Sequence, residues 1–405
     1  MIYEAYQAQT DLMGPMRAFA QIAVDMLDGP FSSIFDRSAL QPLSAAYQMM
    51  VRATLTHARP DFDIRSVRVG NADVPVSEEV VHKAAFASLL RFRKQSDHKQ
   101  PRVLLIAPLS GHYATLLRGT IKTLLTEHDV YVTDWHNARD VPLSEGRFGF
   151  DDYVDYIIRF LEILGPGAHI VAVCQPCVQA LVAASVMAEQ NNPAQPRSMT
   201  LMAGPIDTRV NPTKVNELAC SKSMDWFERN LIAQVPLRFA GAGRRVYPGF
   251  LQLSAFMGMN LQRHIQAHVE LYEHLARGDQ AKAEAKKAFY DEYFAVLDLT
   301  AEFYLETVRK VFQDHELPLG KLQWRGKPIN PAAIRKTSLL TVEGERDDIC
   351  AIGQTLAAHD LCKSIKPFRK RHHLQAGVGH YGVFSGQKWE SQIYPLLRNT
   401  ILASD

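Results

Sequence analysis

The stretch His169-Ile170-Val171-Ala172-Val173-Cys174-Gln175-Pro176-Cys177-Val178 decides how this chain is read. An apolar run of strand character stops at Cys174, and a helical pattern rich in Ala, Val and Leu follows from Val178 to Glu189. A small residue, any residue, a nucleophile, any residue and a small residue at a strand-to-helix junction make a nucleophile elbow, in which the reactive atom tops a strained turn. The five positions here are Ala172, Val173, Cys174, Gln175 and Pro176, with Cys where Ser is commoner and Pro where Gly is commoner.

Around this stretch strands and helices alternate. Arg102–Ala107 is a short, nearly continuous apolar run, as expected of a strand buried on both faces. A helix over Ala114–Leu125, a strand over Val130–Thr133 and a helix over Asp151–Leu164 follow. The last of these carries an apolar face of Val154, Ile157, Ile158 and Leu161 and ends at Gly165-Pro166. Met199–Met202 reads as one more strand. This order predicts an α/β fold with a mostly parallel central sheet and helices on both faces.

The alternation lapses between 207 and 335, where long helical stretches such as Leu251–His274 and Lys282–Phe312 give way to a loop carrying Pro318, Gly320, Gly326, Pro328 and Pro331. It resumes with a strand over Ser338–Val342, a helix over Ile352–Ala358, a strand over His373–Gly377 and a helix over Trp389–Ile401. A βα series that stops and restarts is the layout of a cap inserted into a sheet domain. Before residue 101 the pattern predicts a helix through Leu12, Met16, Phe19, Ile22, Ala23 and Met26 that ends at Gly29-Pro30, and a second helix over Leu43–Leu55. A β-hairpin over 62–76 turning at Gly70-Asn71, a helix over Val81–Lys94 and a loop over Gln95–Gln100 complete that segment.

At 405 residues the chain is long for one compact domain, which suits a core with an insertion. Its 47% apolar and 22% charged content place it among globular proteins. A net charge of +2 supplies no reason to expect a nucleic-acid partner. Five cysteines, few and odd in number, argue for a reducing compartment over a disulfide framework. The N-terminal residues lack the basic and apolar regions of a signal peptide, and no run of about 18 apolar residues suggests a membrane span. A cytoplasmic location is expected.

A thiol needs a base, a group to orient that base, and donors for the oxyanion. In an α/β-hydrolase the order along the chain is nucleophile, acid, histidine, each on a loop after a strand. The strand at 338–342 opens into Glu343-Gly344-Glu345-Arg346-Asp347-Asp348, and the next opens into Gly377-Val378-Gly379-His380-Tyr381-Gly382. Asp347 is favoured over Asp348 as the acid, and His380 is the expected base. Cys174 would sit at a helix N-terminus, where free amides favour a thiolate, and Pro176 suits the first turn because it has no donor to leave unpaired. The Gln175 N–H would form half of an oxyanion hole. Leu109, with Ser110 close behind, would supply the other half from the loop Ala107-Pro108-Leu109-Ser110-Gly111-His112.

Blander readings compete. Most cysteines after an apolar strand are simply buried, and His112, His136, His372 and His373 are rival bases, although none follows the last strand. Cys174-Gln175-Pro176-Cys177 is also a C-x-x-C at a strand-to-helix turn, which raises redox chemistry. The number of strands and the insertion oppose it, and Cys177 reads as a helix-packing residue. The cysteines lack a second suitably spaced pair for zinc, and Gly241-Ala242-Gly243 follows no strand, so neither a metal nor a dinucleotide cofactor is expected. Arg369–His373 reads as a solvated basic connection, and Phe250–Met259 as a packing face or, less readily, a hydrophobic substrate surface.

The chain resembles the intracellular polyhydroxyalkanoate (polyhydroxybutyrate) depolymerases over nearly its whole length. The resemblance is carried by Tyr3–Ala20, Arg102–Gly119, Asp134-Trp135-His136-Asn137-Ala138-Arg139, Ala172–Pro176, Tyr290–Phe312, Thr341–Ile349 and Gly377–Gly382. It implies an α/β-hydrolase core over 101–206 and 336–405, a helical cap over 207–335, and an N-terminal segment, 1–100, of helices and a leading hairpin. It also implies Cys174 as nucleophile, Asp347 as orienting acid and His380 as base, with a thioester intermediate. The polymer or its storage granule would be the partner, 3-hydroxybutyrate or oligomers the products, and water or coenzyme A the acceptor. The polyester synthases are similar and use the same three residue types, but they resemble Gly-x-Cys-x-Gly, where this chain has Ala172 and Pro176. A non-catalytic granule-associated protein is the third reading.

Overall fold

Val, Ile and Leu dominate five-residue runs such as Arg102–Ile106 and His169–Val173, whose central residues have no exposure at all. β-branched residues on both faces fit only a strand with helices above and below it. In the computed structural model, which describes residues 2–28, 37–52, 54–96, 99–259 and 261–405, such runs build one nine-stranded sheet. Its strands are β1 (Ser66–Val69), β2 (Ala72–Lys83), β3 (Ala87–Lys94), β4 (Arg102–Ile106), β5 (Asp129–Trp135), β6 (His169–Val173), β7 (Ser198–Met202), β8 (Ser338–Gly344) and β9 (Lys370–Gln375). They lie in the order β1-β2-β3-β5-β4-β6-β7-β8-β9. The pairs β1-β2, β2-β3 and β3-β5 are antiparallel, and from β5 onward all pairs are parallel.

This is the α/β-hydrolase fold. The chain leaves β4 for β5 on one side and returns to β6 on the other, so the loops after β4 and β6 open a crevice at the carboxyl edge, where open α/β sheets bind ligands. Ile106 lies opposite Ala172, which brings the Leu109 loop and the Cys174 turn out side by side.

Thirteen helices, α1–α13, are assigned among the described residues, and those beside the sheet follow from composition. α3 is Arg118–Leu125, α4 is Phe150–Leu164 and α5 is Cys177–Glu189. Every residue of α5 from Cys177 to Met187 is buried, as expected of a helix apolar on all sides. α4 buries Tyr153, Val154, Ile157 and Leu161, and the Asp152 carboxylate accepts the Gly149 N–H at 2.7 Å at its start. Between β7 and β8 lie α6 (Lys214–Ser221), α7 (Met224–Leu231), α8 (Gly249–Met259), α9 (Leu261–Ala276), α10 (Gln280–Tyr293) and α11 (Ala301–Thr307). A small antiparallel sheet of Ala233–Gln234, Arg245–Tyr247 and Leu299–Thr300 lies among them. After β8 come α12 (Ala358–Leu361) and α13 (Tyr394–Leu402).

Several local expectations are corrected. Val81–Lys94 is the end of β2 and the whole of β3, not a helix; β3 pairs with β5, Ala87 opposite Trp135, and a short apolar run takes whichever state the open sheet edge offers. Lys370–His373 is not a solvated connection but most of β9, an edge strand whose charges discourage further pairing. The helix expected over Ile352–Ala358 is absent before Ala358, where α12 begins, because the amides of 353, 355 and 356 are drawn to Glu343. The stretch Lys282–Phe312 breaks after Tyr293, where Asp298 turns inward to accept the Gly249 N–H at 2.8 Å and the Tyr3 hydroxyl at 2.6 Å. Gly241 packs where a Cβ would lie 2.6 Å from the Arg139 carbonyl, a close-approach glycine and not a nucleotide loop.

The hairpin turns at Gly70-Asn71 as expected. α1 (Ile2–Asp28) and α2 (Arg37–Arg52) are helices, while the expected stop at Gly29-Pro30 lies outside the described residues, as do parts of the Gln95–Gln100 loop. α1 is anchored through Tyr3 and through Tyr6, which stacks on Phe250 at 4.0 Å. Its periodic apolar residues are not a core face: Leu12 is 77% and Phe19 63% exposed, and Met16, Ile22 and Met26 are exposed as well.

Candidate active site

Cys174 directly follows β6 in a left-handed conformation, φ +67°, a strained state for a residue with a Cβ. Its N–H donates to the Met202 carbonyl at 2.8 Å and its carbonyl accepts from Cys177 N–H at 3.1 Å, so the turn is held from both sides. Pro176, φ −69°, caps α5 and gives up no donor. Cys174 is half-buried with a free thiol. Cys177 is also free but fully buried; its Sγ donates to the Ala172 and Met202 carbonyls at 3.4 and 3.6 Å. Burial first, and Cys174 second, push the Cys177 thiol well above its ordinary range. Its environment is that of a packing residue.

β8 and β9 run parallel, Gly344 opposite Gln375, so the loops that follow them leave together. Asp347 is buried there. Its Oδ1 accepts the N–H groups of Ile349 and Cys350 at 2.9 and 2.8 Å, and its Oδ2 faces His380 Nδ1 at 2.8 Å. Asp348 points instead into the exposed cleft beside it. With Nδ1 committed to Asp347, Nε2 of His380 is left for Cys174. Burial alone would push the His380 imidazolium down, but the Asp347 carboxylate and then the Cys174 side chain, both hydrogen-bonded to the ring, hold it well above the usual histidine range.

The loop expected to supply an oxyanion donor is equally ordered. Ala107 is pinned at both polar atoms: its N–H donates to Thr133 Oγ1 at 2.9 Å, and its carbonyl accepts from Trp135 Nε1 at 2.8 Å and the Tyr153 hydroxyl at 3.0 Å. The N–H groups of Leu109, Ser110 and Gln175, the expected oxyanion donors, donate to no carbonyl or side chain among the described residues. Gly111 closes the loop at φ +93°, where a Cβ would lie 2.7 Å from Cγ of Gln252.

The rival bases are occupied elsewhere. His112 donates to the Tyr293 carbonyl at 3.2 Å, and burial pushes its pKa down to about 4. His136 bonds the Ala85 carbonyl and Ser88, both at 2.9 Å. His372 shares Thr341 Oγ1 with His359, each at 2.9 Å, and His373 pairs with Gln375. Among the described residues no group of three or more His, Cys, Asp or Glu could hold a metal ion.

His380 opens on a cleft of about 720 Å³ whose other wall comes from α9 and α10, notably His264, Lys286, Phe289 and Tyr293, with Tyr381 beside the histidine. Tyr293 stacks between Phe289 at 5.4 Å and His264 at 5.2 Å, giving the wall an aromatic face. Sequence reasoning missed this wall; the run Phe289-Tyr290-Asp291-Glu292-Tyr293-Phe294 was its available signal. A larger cleft of about 930 Å³, between His82, Lys83, His136, Asp140, Glu145 and Arg159, is lined by no cysteine, serine or threonine. Size alone does not choose the site.

The family described as "PHB de-polymerase C-terminus" matches residues 203–405, half of the chain. The chain belongs to the PHB depolymerase family. It is an ester-bond hydrolase. The family match begins after Cys174 and contains Asp347 and His380. No curated protein matches the chain. Among solved structures the chain is similar to 2-hydroxy-6-oxo-6-phenylhexa-2,4-dienoate hydrolase from a Rhodococcus species, with 14% identity over 81% of this chain and 99% of that one and a TM-score of 0.44. It is similar also to the monoacylglycerol lipase of Paleococcus ferrophilus, with 12% identity over 78% and 99% and a TM-score of 0.41. Among the described residues no helix is long and apolar enough to cross a membrane.

Proposed function

We propose that the chain cleaves the ester bonds of a polyhydroxybutyrate-type polyester through Cys174, Asp347 and His380. The observation that carries this reading is the 2.8 Å contact of His380 Nδ1 with Asp347 Oδ2, on a ring whose other nitrogen is left for a thiol held at the top of a strained turn. His380 takes the Cys174 proton, and the thiolate attacks a polymer carbonyl carbon. The carbonyl oxygen becomes an oxyanion received by the N–H groups of Gln175 and Leu109. As the C–O ester bond breaks, His380 Nε2–H protonates the leaving alkoxide, which leaves a 3-hydroxyacyl thioester on Cys174. Water then gives its proton to His380 and attacks the thioester; the C–S bond breaks, the thiolate regains a proton, and 3-hydroxybutyrate or an oligomer departs. Coenzyme A thiol in place of water would give an acyl-coenzyme A instead. Asp347 steadies the imidazolium throughout.

In this reading 101–206 and 336–405 form the catalytic core and 207–335 the cap. The protein works at a granule surface inside the cell. The exposed apolar residues Leu12, Phe19 and Met26 of α1 and Leu261 and Ile265 of α9 support surface binding, because exposed apolar area on this scale marks an interaction face. α1 carries Glu4, Asp11, Asp25 and Asp28 against Arg17 alone, which suits an uncharged polyester better than an anionic membrane. The test is incubation with amorphous polyhydroxybutyrate granules, measuring released acid and trapping the acyl group on Cys174 by acid quench and mass spectrometry. Release by the wild type and none by Cys174→Ala is expected. No release, together with polymer formation from 3-hydroxybutyryl-coenzyme A, would overturn the hydrolase reading in favour of a synthase.

A further inference from the structure

Cys174 is not the only strained residue at the carboxyl edge of the sheet. Ala203, the first residue after the neighbouring β7, is also left-handed, φ +50°. Its N–H donates to the Val342 carbonyl of β8 at 2.9 Å. Non-glycine residues stay in such conformations only where their surroundings over-determine them. The next residue, Gly204, lies against the elbow: a Cβ there would overlap the Cys177 side chain and sit 3.1 Å from the Cys174 carbonyl oxygen.

Gly204 is held by one side chain. Thr355 Oγ1 accepts its N–H at 2.8 Å and donates to its carbonyl at 3.0 Å, both bonds fully buried. Thr355 is in turn held by Glu343, whose Oε1 accepts the N–H groups of Thr355 and Leu356 at 2.7 and 2.9 Å and whose Oε2 accepts Gly353 N–H at 2.8 Å. The Glu343 side chain has no exposure, and the His372 imidazole faces it, Nε2 at 3.7 Å, with burial pushing that ring toward its neutral form. A buried carboxylate satisfied by three backbone amides is a rigid support. Glu343 also lies on β8 just ahead of Asp347, so one strand end bears the acid that orients His380 and the support that reaches the elbow.

We propose that Thr355 is a positioning residue for Cys174: its hydroxyl clamps Gly204 against the elbow and so maintains the left-handed nucleophile, with Glu343 as the clamp's base. This rests on Cys174 being the nucleophile but not on the identity of the polymer. The test is therefore substrate-free: the rate of Cys174 carboxamidomethylation by iodoacetamide, with the modified peptides resolved by mass spectrometry so that exposed Cys220 serves as an internal reference. Thr355→Val keeps the shape and removes the hydroxyl; Thr355→Ser restores it. Slowing of Cys174 labelling by about tenfold or more in Thr355→Val is expected, since small misplacements of reacting groups cost on that scale. Cys220 labelling is unchanged, and Thr355→Ser recovers to within about threefold of wild type on the same geometric argument. With an ester substrate, kcat falls in parallel while KM stays within about twofold, the signature of lost positioning rather than lost binding. Wild-type labelling of Cys174 in Thr355→Val, or equal slowing in Thr355→Ser, overturns the proposal. Where Thr355→Val does not fold, Glu343→Gln substitutes: slowed Cys174 labelling in a folded variant supports the clamp and an unchanged rate refutes it. A wild type that labels rapidly yet releases nothing from polyester would refute the depolymerase reading and leave the clamp standing.

Discussion

Asp347→Asn is the sharpest perturbation of the proposed mechanism, because the structure fixes which way the new amide must face. Oδ1 of Asp347 accepts two backbone N–H groups, from Ile349 and Cys350 at 2.9 and 2.8 Å. An asparagine keeps its carbonyl oxygen there, since turning it would place an amide NH2 against two donors. The NH2 group is then forced toward His380 Nδ1, now 2.8 Å from an acceptor. Two donors cannot share that line, so the imidazole gives up its Nδ1 proton and carries it on Nε2, the atom that must receive the thiol proton. Loss of the correct tautomer in a catalytic triad lowers kcat by about 10⁴, or about 5 kcal/mol of transition-state stabilisation. The backbone bonds that organise the loop survive, so the fold persists. The assay is initial-rate release of 3-hydroxybutyrate from amorphous granules, together with hydrolysis of a short ester and a thermal unfolding curve for each variant. A folded Asp347→Asn enzyme within tenfold of wild type, or an Asp348→Asn enzyme impaired as much, would refute the assignment.

Other outcomes follow from the same geometry. Cys177→Ala retains activity to within a few-fold and loses stability of about 1–2 kcal/mol by chemical denaturation, the cost of a small buried cavity; a large loss of activity with normal stability would revive the C-x-x-C redox reading. Gly204→Ala loses about 1–3 kcal/mol from overpacking against Cys177 and slows Cys174 labelling, whereas unchanged labelling would separate the loop from the elbow. The raised pKa of His380 makes its pairing stability fully present below about pH 6.5, the ordinary histidine value, and lost as pH rises through the higher folded value. The difference in melting temperature between wild type and Asp347→Asn is therefore largest in mild acid and shrinks at alkaline pH; a constant difference refutes the coupling. Leu12→Glu with Phe19→Glu reduces sedimentation with granules while leaving short-ester hydrolysis unchanged, and equal granule binding would exclude α1 as the docking face.

Much of the core was legible because its signals are local. A buried parallel strand must be apolar on both faces, so Arg102–Ile106 and His169–Val173 announce themselves, and α4 declares its inward face through Val154, Ile157 and Leu161. Where the local pattern admits two states, partners at long range choose. Val81–Lys94 reads as a helix until β5 offers a free edge to β3, and the residues after Ile352 stay unwound because Glu343 draws their amides. α1 shows the reverse case: its apolar spacing is helical, as the helix is, yet spacing alone does not say that a face is covered.

By itself the sequence determined an α/β chain with an insertion and a nucleophile-acid-histidine order, since strand and helix periods and loop positions are written in neighbouring residues. Tertiary structure alone decided which of Asp347 and Asp348 meets His380, which aromatic residues wall the cleft, and that Thr355 reaches Gly204 from 151 residues away. Hydrogen bonds across such separations depend on the register of β8 with β7 and β9, and no local pattern encodes that register.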